Sequence, residues 1–250
     1  MNTDRQLDLL AHTGVLLLEN GAATYRVDEI VGSLSKPLGL ARVGIYATAT
    51  GLIISAEEPG APATRVRVIK RQGVNMNTLA ELNNLSREAS GGELSPAQIA
   101  GRIAAIEAER PLYPAWLVVA GVAIACGAFG LLIGAGWREA ASTVIAAALA
   151  GVLRLRLIRM HLLPLIVTVL TAFAATALSW LGCQPLACPN TNLAEVGSVL
   201  QLVPGVILVT AIVDLTTGDM LSGVARAASG TLIVFGIALG MLLFLVWGLH

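Results

Sequence analysis

The sequence predicts a membrane protein: an N-terminal α+β cytoplasmic domain followed by an all-α bundle of five transmembrane helices. Three observations carry this. Hydrophobic residues make up 56% of the chain and charged residues only 13%, roughly half the charge of an ordinary soluble domain. The charges are also unevenly placed. Residues 1–112 hold 11 Lys+Arg and 12 Asp+Glu, whereas 113–250 hold five Arg, no Lys and four acids. Finally, the second segment contains five apolar stretches close to the roughly 20 residues that a helix needs to cross hydrocarbon.

That composition narrows function before any motif is considered. A chain this apolar is not intrinsically disordered. Its formal net charge of zero lacks the basic face that nucleic-acid binding requires. Aromatics at 4% leave little for base stacking. The N-terminus, MNTDRQLDLL, mixes charged and apolar residues, and Glu19 interrupts the next apolar run. No unbroken signal-peptide core is present, so the front domain is expected to stay where it is made, in the cytoplasm.

Periodicity and punctuation give the elements of the front domain, 1–112. Leu7, Leu10, Ala11, Gly14, Leu17 and Leu18 recur near helical spacing over 4–19, and Asn20-Gly21 ends that helix. A second helix is expected over about 23–36, with Thr24 near its cap and Val27, Ile30, Val31 and Leu34 inward. Pro37 and Gly39 stop it. RVGIYATATGLIIS (42–55) is rich in β-branched residues, and TRVRVIK (64–70) alternates strictly. Antiparallel strands are expected there, split near Thr50-Gly51 and joined by the turn sequence EEPGAPA. Helices at about 76–89 and 95–109 come next, with Asn75 and Ser95-Pro96 at their starts.

In the transmembrane segment, 113–250, spans are expected at about 115–136, 139–158, 164–182, 196–216 and 228–248. Pro164 suits the first turn of the third. The second ends on Arg154 and Arg156, long side chains that snorkel to an interface. With the N-terminus cytoplasmic, the loop carrying Arg154, Arg156, Arg159 and His161 is inside. So is the loop 217–227 with Arg226, whereas Arg138 is outside. This satisfies the positive-inside rule and makes the C-terminus periplasmic. Cys126 lies within the first span. Cys183 and Cys188 fall in the outer loop, where an oxidising periplasm could pair them or leave two thiols.

The chemistry-bearing residues lie mostly in the apolar half. There is no GxxxxGK[ST], HExxH or GxSxG, and no GxGxxG after a strand. An enzyme and an ATP-driven pump are both disfavoured, and no cofactor or metal is implied. Pro204, in mid-span, removes a backbone N–H and kinks or breaks the helix, and Gly205 loosens it further. Secondary transporters often place such breaks at the substrate path. Gln201, about one turn earlier, could hydrogen-bond a polar substrate. Asp214 is the sole acid between Glu195 and Asp219. Carrying it into hydrocarbon costs about 2.5–3.5 kcal/mol at a helix centre, and burial favours its protonated form, which would suit proton coupling. It could equally bind an ammonium or Arg226, or be a solvated helix-end aspartate.

Other residues have two readings each. Arg226 could grip a carboxylate through two N–H groups or anchor the inner face. Thr168 and Thr171 could line the path or bond their own helix. The GxxxG pairs Gly130/Gly134 and Gly236/Gly240 permit close helix approach. Arg26, Asp28 and Glu29 are either a solvated helix face or a gate or docking surface.

Four stretches then carry a resemblance. They are NGAATYRVDEIVGSLSKPLG (20–39), GVNMNTLAELNNLSRE (73–88), IEAERPLYPAWL (106–117) and LVPGVILVTAIVDLTTGDMLSGVARA (202–227). Together they resemble the threonine/serine exporter family, most closely its split, YjjP-like large subunit, over nearly the whole chain. The most specific pieces are LVPG followed by Asp214, the GxxxxGxAR from Gly218 to Arg226, and GAxxxRVDE at the front. The resemblance implies a secondary exporter of small polar metabolites in a bacterial inner membrane, with threonine/serine or a dicarboxylate such as succinate as substrate. It also implies a partner. Fused members carry a second module after the first, so a separate small membrane subunit would complete this one, in a possible higher oligomer. The alternative is a membrane-anchored sensor or scaffold whose cytoplasmic domain binds a small ligand.

Overall fold

A computed structural model describes residues 3–40, 42–57, 62–70, 73–92, 94–109 and 112–248. In chain order the elements are α1 (Thr3–Glu19), α2 (Thr24–Ser35), β1 (Val43–Ala47), β2 (Gly51–Ala56), β3 (Ala63–Val68), α3 (Met76–Ser90) and α4 (Pro96–Ala108). Then come α5 (Ala115–Leu132), α6 (Trp137–Arg159), α7 (Pro164–Leu186), α8 (Thr191–Val199), a 3-10 turn at Leu200–Leu202, α9 (Gly205–Thr216) and α10 (Met220–Gly248). They form two compact units. One is Met1–Arg110 with Gly205–Ala228, and the other is Pro111–Pro204 with Ser229–His250. The first unit is therefore discontinuous in sequence.

In the first unit the three strands lie in the order β1-β2-β3, all antiparallel. The register pairs Ile45 with Ile54 and Ile54 with Arg65. Leu52, Ile54 and Ala56 turn inward, joining Leu7, Leu10 and Leu17 of α1 and Val27, Val31 and Leu34 of α2 in one core. That is the alternation expected when a small sheet has one face covered by helices. Helix α1 approaches closely at Gly14, where a Cβ would stand 2.5 Å from Leu52 Cδ2. At the sheet edge Arg65 bonds both Asp8 and Asp4, and Arg67 bonds Asp8.

Local chemistry starts each remaining front helix. The Asn75 side chain accepts from Asn77 N and Thr78 N at the head of α3, and Ser95 with Gln98 forms a capping box at α4. The turn expected between β2 and β3 falls partly on 58–61, outside the described residues.

The second unit is built on small residues. Ala123, Cys126 and Ala147 form one buried cluster, and Ala150, Ala172, Ala175, Val199, Leu202 and Ile237 form another. A Cβ on Gly127 would lie 2.4 Å from Val144 Cγ2, and one on Gly240 would lie 2.4 Å from the Val169 carbonyl. Such contacts bring helix backbones together where lipid gives no hydrophobic drive to pair them. Gly236 and Gly240 thus seat α10 on α7 within this unit. Gly134 does not act as half of a GxxxG pair, because it lies beyond α5 with φ +96. Trp116, Trp137 and Trp247 are exposed near helix ends, where indole rings suit the polar–apolar boundary.

Among the described residues four helices are long and apolar enough to cross a membrane: α5, α6, α7 and α10. A fifth span exists only if the bent pair Thr191–Leu202 and Gly205–Thr216 counts as one. The fourth span, expected to kink or break at Pro204, is this bent pair, and the other four expected spans are single helices. The break stems from Pro204. It pushes Val203 out of the helical region (φ −61, ψ 123), as a residue preceding proline requires. The expected loop 217–227 is also shorter, since α10 already begins at Met220.

Candidate functional site

The first unit contains a buried polar node assembled from three distant stretches. Between α1 and α2, Asn20 bonds the Leu16 carbonyl and Gly21 turns the chain at φ 94. Ala23 then occupies the N-cap of α2 without any side-chain cap. The first backbone N–H groups of a helix have no partner within it. Asp214 supplies one from α9: its Oδ1 accepts from Thr24 N and Thr24 Oγ1, both at 3.0 Å. A carboxylate at a helix N-terminus is also favoured by the helix dipole.

Asp214 is 0% exposed. Arg226 Nε stands 2.9 Å from Asp214 Oδ2. The two atoms are close enough for an ion pair, although the N–H is not aimed for a hydrogen bond. Arg226 Nη2 donates to the Ala22 carbonyl at 2.9 Å. Nearby, Ser222 Oγ accepts from Ala49 N, and Asp219 Oδ1 accepts from Ser222 N at the start of α10. A cleft of about 330 Å³ opens beside this node, with Ala22, Ala23, Tyr25, Arg26, Asn83 and Thr210 among its walls. Chemically, the node is a neutral carboxylate–guanidinium pair. An incoming carboxylate could compete for Arg226, and an ammonium for Asp214.

The front cluster divides. Arg26 pairs with Glu29 on an exposed helix face at 2.9 Å. Asp28 behaves differently. Its carboxyl is held above the ordinary carboxylate range, first by burial and then by the nearby charge of Asp219.

The remaining sequence-predicted residues belong to the second unit. Gln201 Nε2 donates to the carbonyls of Ala147 and Ser198, so its amide N–H groups serve the fold. Thr168 and Thr171 donate to the Pro164 and Val167 carbonyls one turn back in α7. Pro204 and Gly205 mark the junction before α9, and a Cβ on Gly205 would meet nothing within 4 Å. Cys183 is a buried thiol near the end of α7, and Cys188 is a half-buried thiol just beyond that helix. The Cys188 thiol is pushed up to about 12, first by burial and then by the Cys183 thiol beside it.

Sequence reasoning missed two buried carboxylates in the second unit. Glu139, at the expected start of the second span, is buried in the first turn of α6, where it accepts from Asn190 N at 3.0 Å and joins the starts of α6 and α8. Glu195, just before the expected start of the fourth span, lies within α8 and is 5% exposed. The asparagine before Thr191 was the available signal, since it marks a helix start earlier than Val196.

Comparisons with known proteins point the same way. A family model described as "Putative threonine/serine exporter" matches residues 8–247. The chain is 33% identical over 255 residues to "Probable succinate transporter subunit YjjP" of Escherichia coli (strain K12), covering 100% of this chain and 99% of that protein. It is 29% identical over 244 residues to the protein of the same name from Klebsiella aerogenes, covering 97% and 94% respectively. A "Probable threonine/serine exporter" of Mycobacterium tuberculosis is 27% identical over 259 residues, which cover 98% of this chain but 46% of that longer protein. No solved structure matches.

Proposed function

The chain belongs to the threonine/serine exporter family, and from that premise we propose that it is the large subunit of a secondary exporter moving small polar metabolites out of a bacterial cell. The observation that carries this is the end-to-end match, at 33% identity, to a protein named as a succinate transporter subunit. Four apolar helices and a broken pair supply the membrane-embedded frame. The substrate is a small dicarboxylate such as succinate, or threonine and serine. The word "subunit" in two relatives' names supports a separate membrane partner. So does the chain's alignment with less than half of the longer exporter. The sensor or scaffold alternative finds no support in these comparisons.

The membrane is the bacterial inner membrane, with the N-terminus in the cytoplasm and the C-terminus in the periplasm. Arginine placement supports that orientation, since Arg154, Arg156, Arg159 and Arg226 fall on the inner side and Arg138 on the outer. The Asp214–Arg226 node acts as a latch. It ties the start of α2 to α9 and α10 and opens when substrate competes for one of its charges. Asp214 is already held by Thr24 and Arg226, which suits a latch better than a proton carrier. Gln201, Thr168 and Thr171 line the path with their remaining acceptor capacity. Arg26, Asp28 and Glu29 form a docking face.

Counterflow tests the reading. Vesicles containing this chain and a co-purifying small membrane subunit are loaded with unlabelled succinate, threonine or serine, and labelled solute is added outside. Uptake of one of these classes above that of empty vesicles is expected. No movement of any of the three would overturn the proposal.

A further inference from the structure

Buried hydroxyls and a carboxylate gather where α6, α7 and α8 pack against one another. Ser142 Oγ donates to the Ser179 carbonyl of α7 at 2.8 Å. The next residue, Thr143, donates to the Ala194 carbonyl of α8 at 3.2 Å. These two bonds tie α7 and α8 to adjacent residues of one turn of α6. Ser179 is 0% exposed, and its Oγ has no hydrogen-bond partner. Glu195 is 5% exposed. Among the described residues its carboxyl makes no hydrogen bond or ion pair.

No neighbouring charge offsets it. Among the helices packed against α8, α5 and α7 carry no Asp, Glu, Lys, Arg or His. Their titratable groups are the thiols of Cys126 and Cys183. Helix α6 carries Arg138 and Glu139 at its start and Arg154, Arg156 and Arg159 at its end. Arg138 reaches the Ala187 carbonyl and Glu139 caps Asn190. None of the five pairs with Glu195.

A buried carboxylate without a countercharge is expensive and neutralises itself where it can. Intramembrane acids of this kind mark ion pathways. A single carboxylate offers too few oxygens to replace the shell of a metal cation, but it suffices for a proton. We propose that Glu195 is a proton-binding site of the membrane unit. The carboxylate takes one proton from water on one side, becomes a neutral acid and returns the proton to water on the other. In this way it couples export to the proton gradient. The coupling role rests on the exporter reading. The proton site itself does not.

Infrared difference spectroscopy on the full-length protein in lipid separates the two. At neutral pH, wild type minus Glu195→Gln is expected to show one protonated-carboxyl stretch. Wild type minus Asp214→Asn is expected to show none. Glu195→Asp should shift the band rather than remove it, which covers the case in which the Gln variant folds poorly. A wild-type carboxyl already ionised at neutral pH, or a band that survives Glu195→Gln, would overturn the proton site. In the counterflow vesicles, Glu195→Gln is expected to exchange solute yet lose its response to an imposed pH gradient. Retention of that response would overturn the coupling role. A wild type that transports nothing would leave the infrared result standing and sink only the exporter reading.

Discussion

Asp214 shows how one side chain can serve structure and function together. It caps α2 and balances Arg226, and both partners are largely buried. Removing one member of such a pair strands the other charge, at roughly 3–5 kcal/mol. Asp214→Asn should therefore lower the thermal unfolding temperature of the detergent-solubilised protein markedly. Adding Arg226→Gln should recover part of the loss, because the two effects are coupled. Additive losses would show that the pair does not act as one unit.

Asp28 makes a pH-dependent prediction. Its folded-state value is raised, so the folded protein binds its proton more tightly than the unfolded chain does. Stability then rises as pH falls from neutrality towards the ordinary aspartate value of about 4. Asp28 stays open to solvent on one side, so the rise is modest. Asp28→Asn should flatten it and raise the unfolding temperature at neutral pH. Asp214 was legible in the sequence as an isolated acid in an apolar run. Glu195 was not, because CQPLACPNTN just before it carries the prolines and asparagines of a loop. The charges around a residue decide its role, and a linear pattern does not show them.

At the scale of elements, glycine positions separate packing from bending. Gly240→Ala would drive a Cβ to 2.4 Å from the Val169 carbonyl and 2.7 Å from Ala172 Cβ. Backbone cannot swing aside, so overpacking should cost about 1–3 kcal/mol. Gly205→Ala meets nothing within 4 Å and starts a helix, where alanine should be neutral or stabilising by about 0.4–1 kcal/mol. Thermal unfolding of the two variants side by side checks the contrast. Equal losses would show that the Gly240 contact does not carry the α7–α10 packing. Element identity was largely readable. Alternation gave β1 to β3, capping residues gave the starts of α3 and α4, and Pro204 gave the break. What α9 packs against was not readable. Its apolar periodicity says that a face is covered, and a buried aspartate such as Asp214 says that the cover is polar. Neither says that the cover is the turn at 22–24.

For the molecule as a whole, the broken pair decides topology. If Thr191–Leu202 and Gly205–Thr216 together cross the membrane, the chain spans it five times and its termini lie on opposite sides. If the pair dips in and returns, the count is four and the termini share a side. Alkaline phosphatase fused after the last residue should be active in the periplasm under the five-span reading, and fused after Leu112 it should be silent. An inactive C-terminal fusion would make the pair re-entrant. The discontinuous first unit has a consequence of its own, one of timing. Thr24 leaves the ribosome 190 residues before the aspartate that caps it. At synthesis rates of about 5–20 residues per second, that is a wait on the order of ten seconds or more. Until the later helices have been threaded and come back, the newborn front half must be kept from aggregating with its α2 end uncapped. Its final closure is then a late assembly step, governed by how fast the insertion machinery finishes its work.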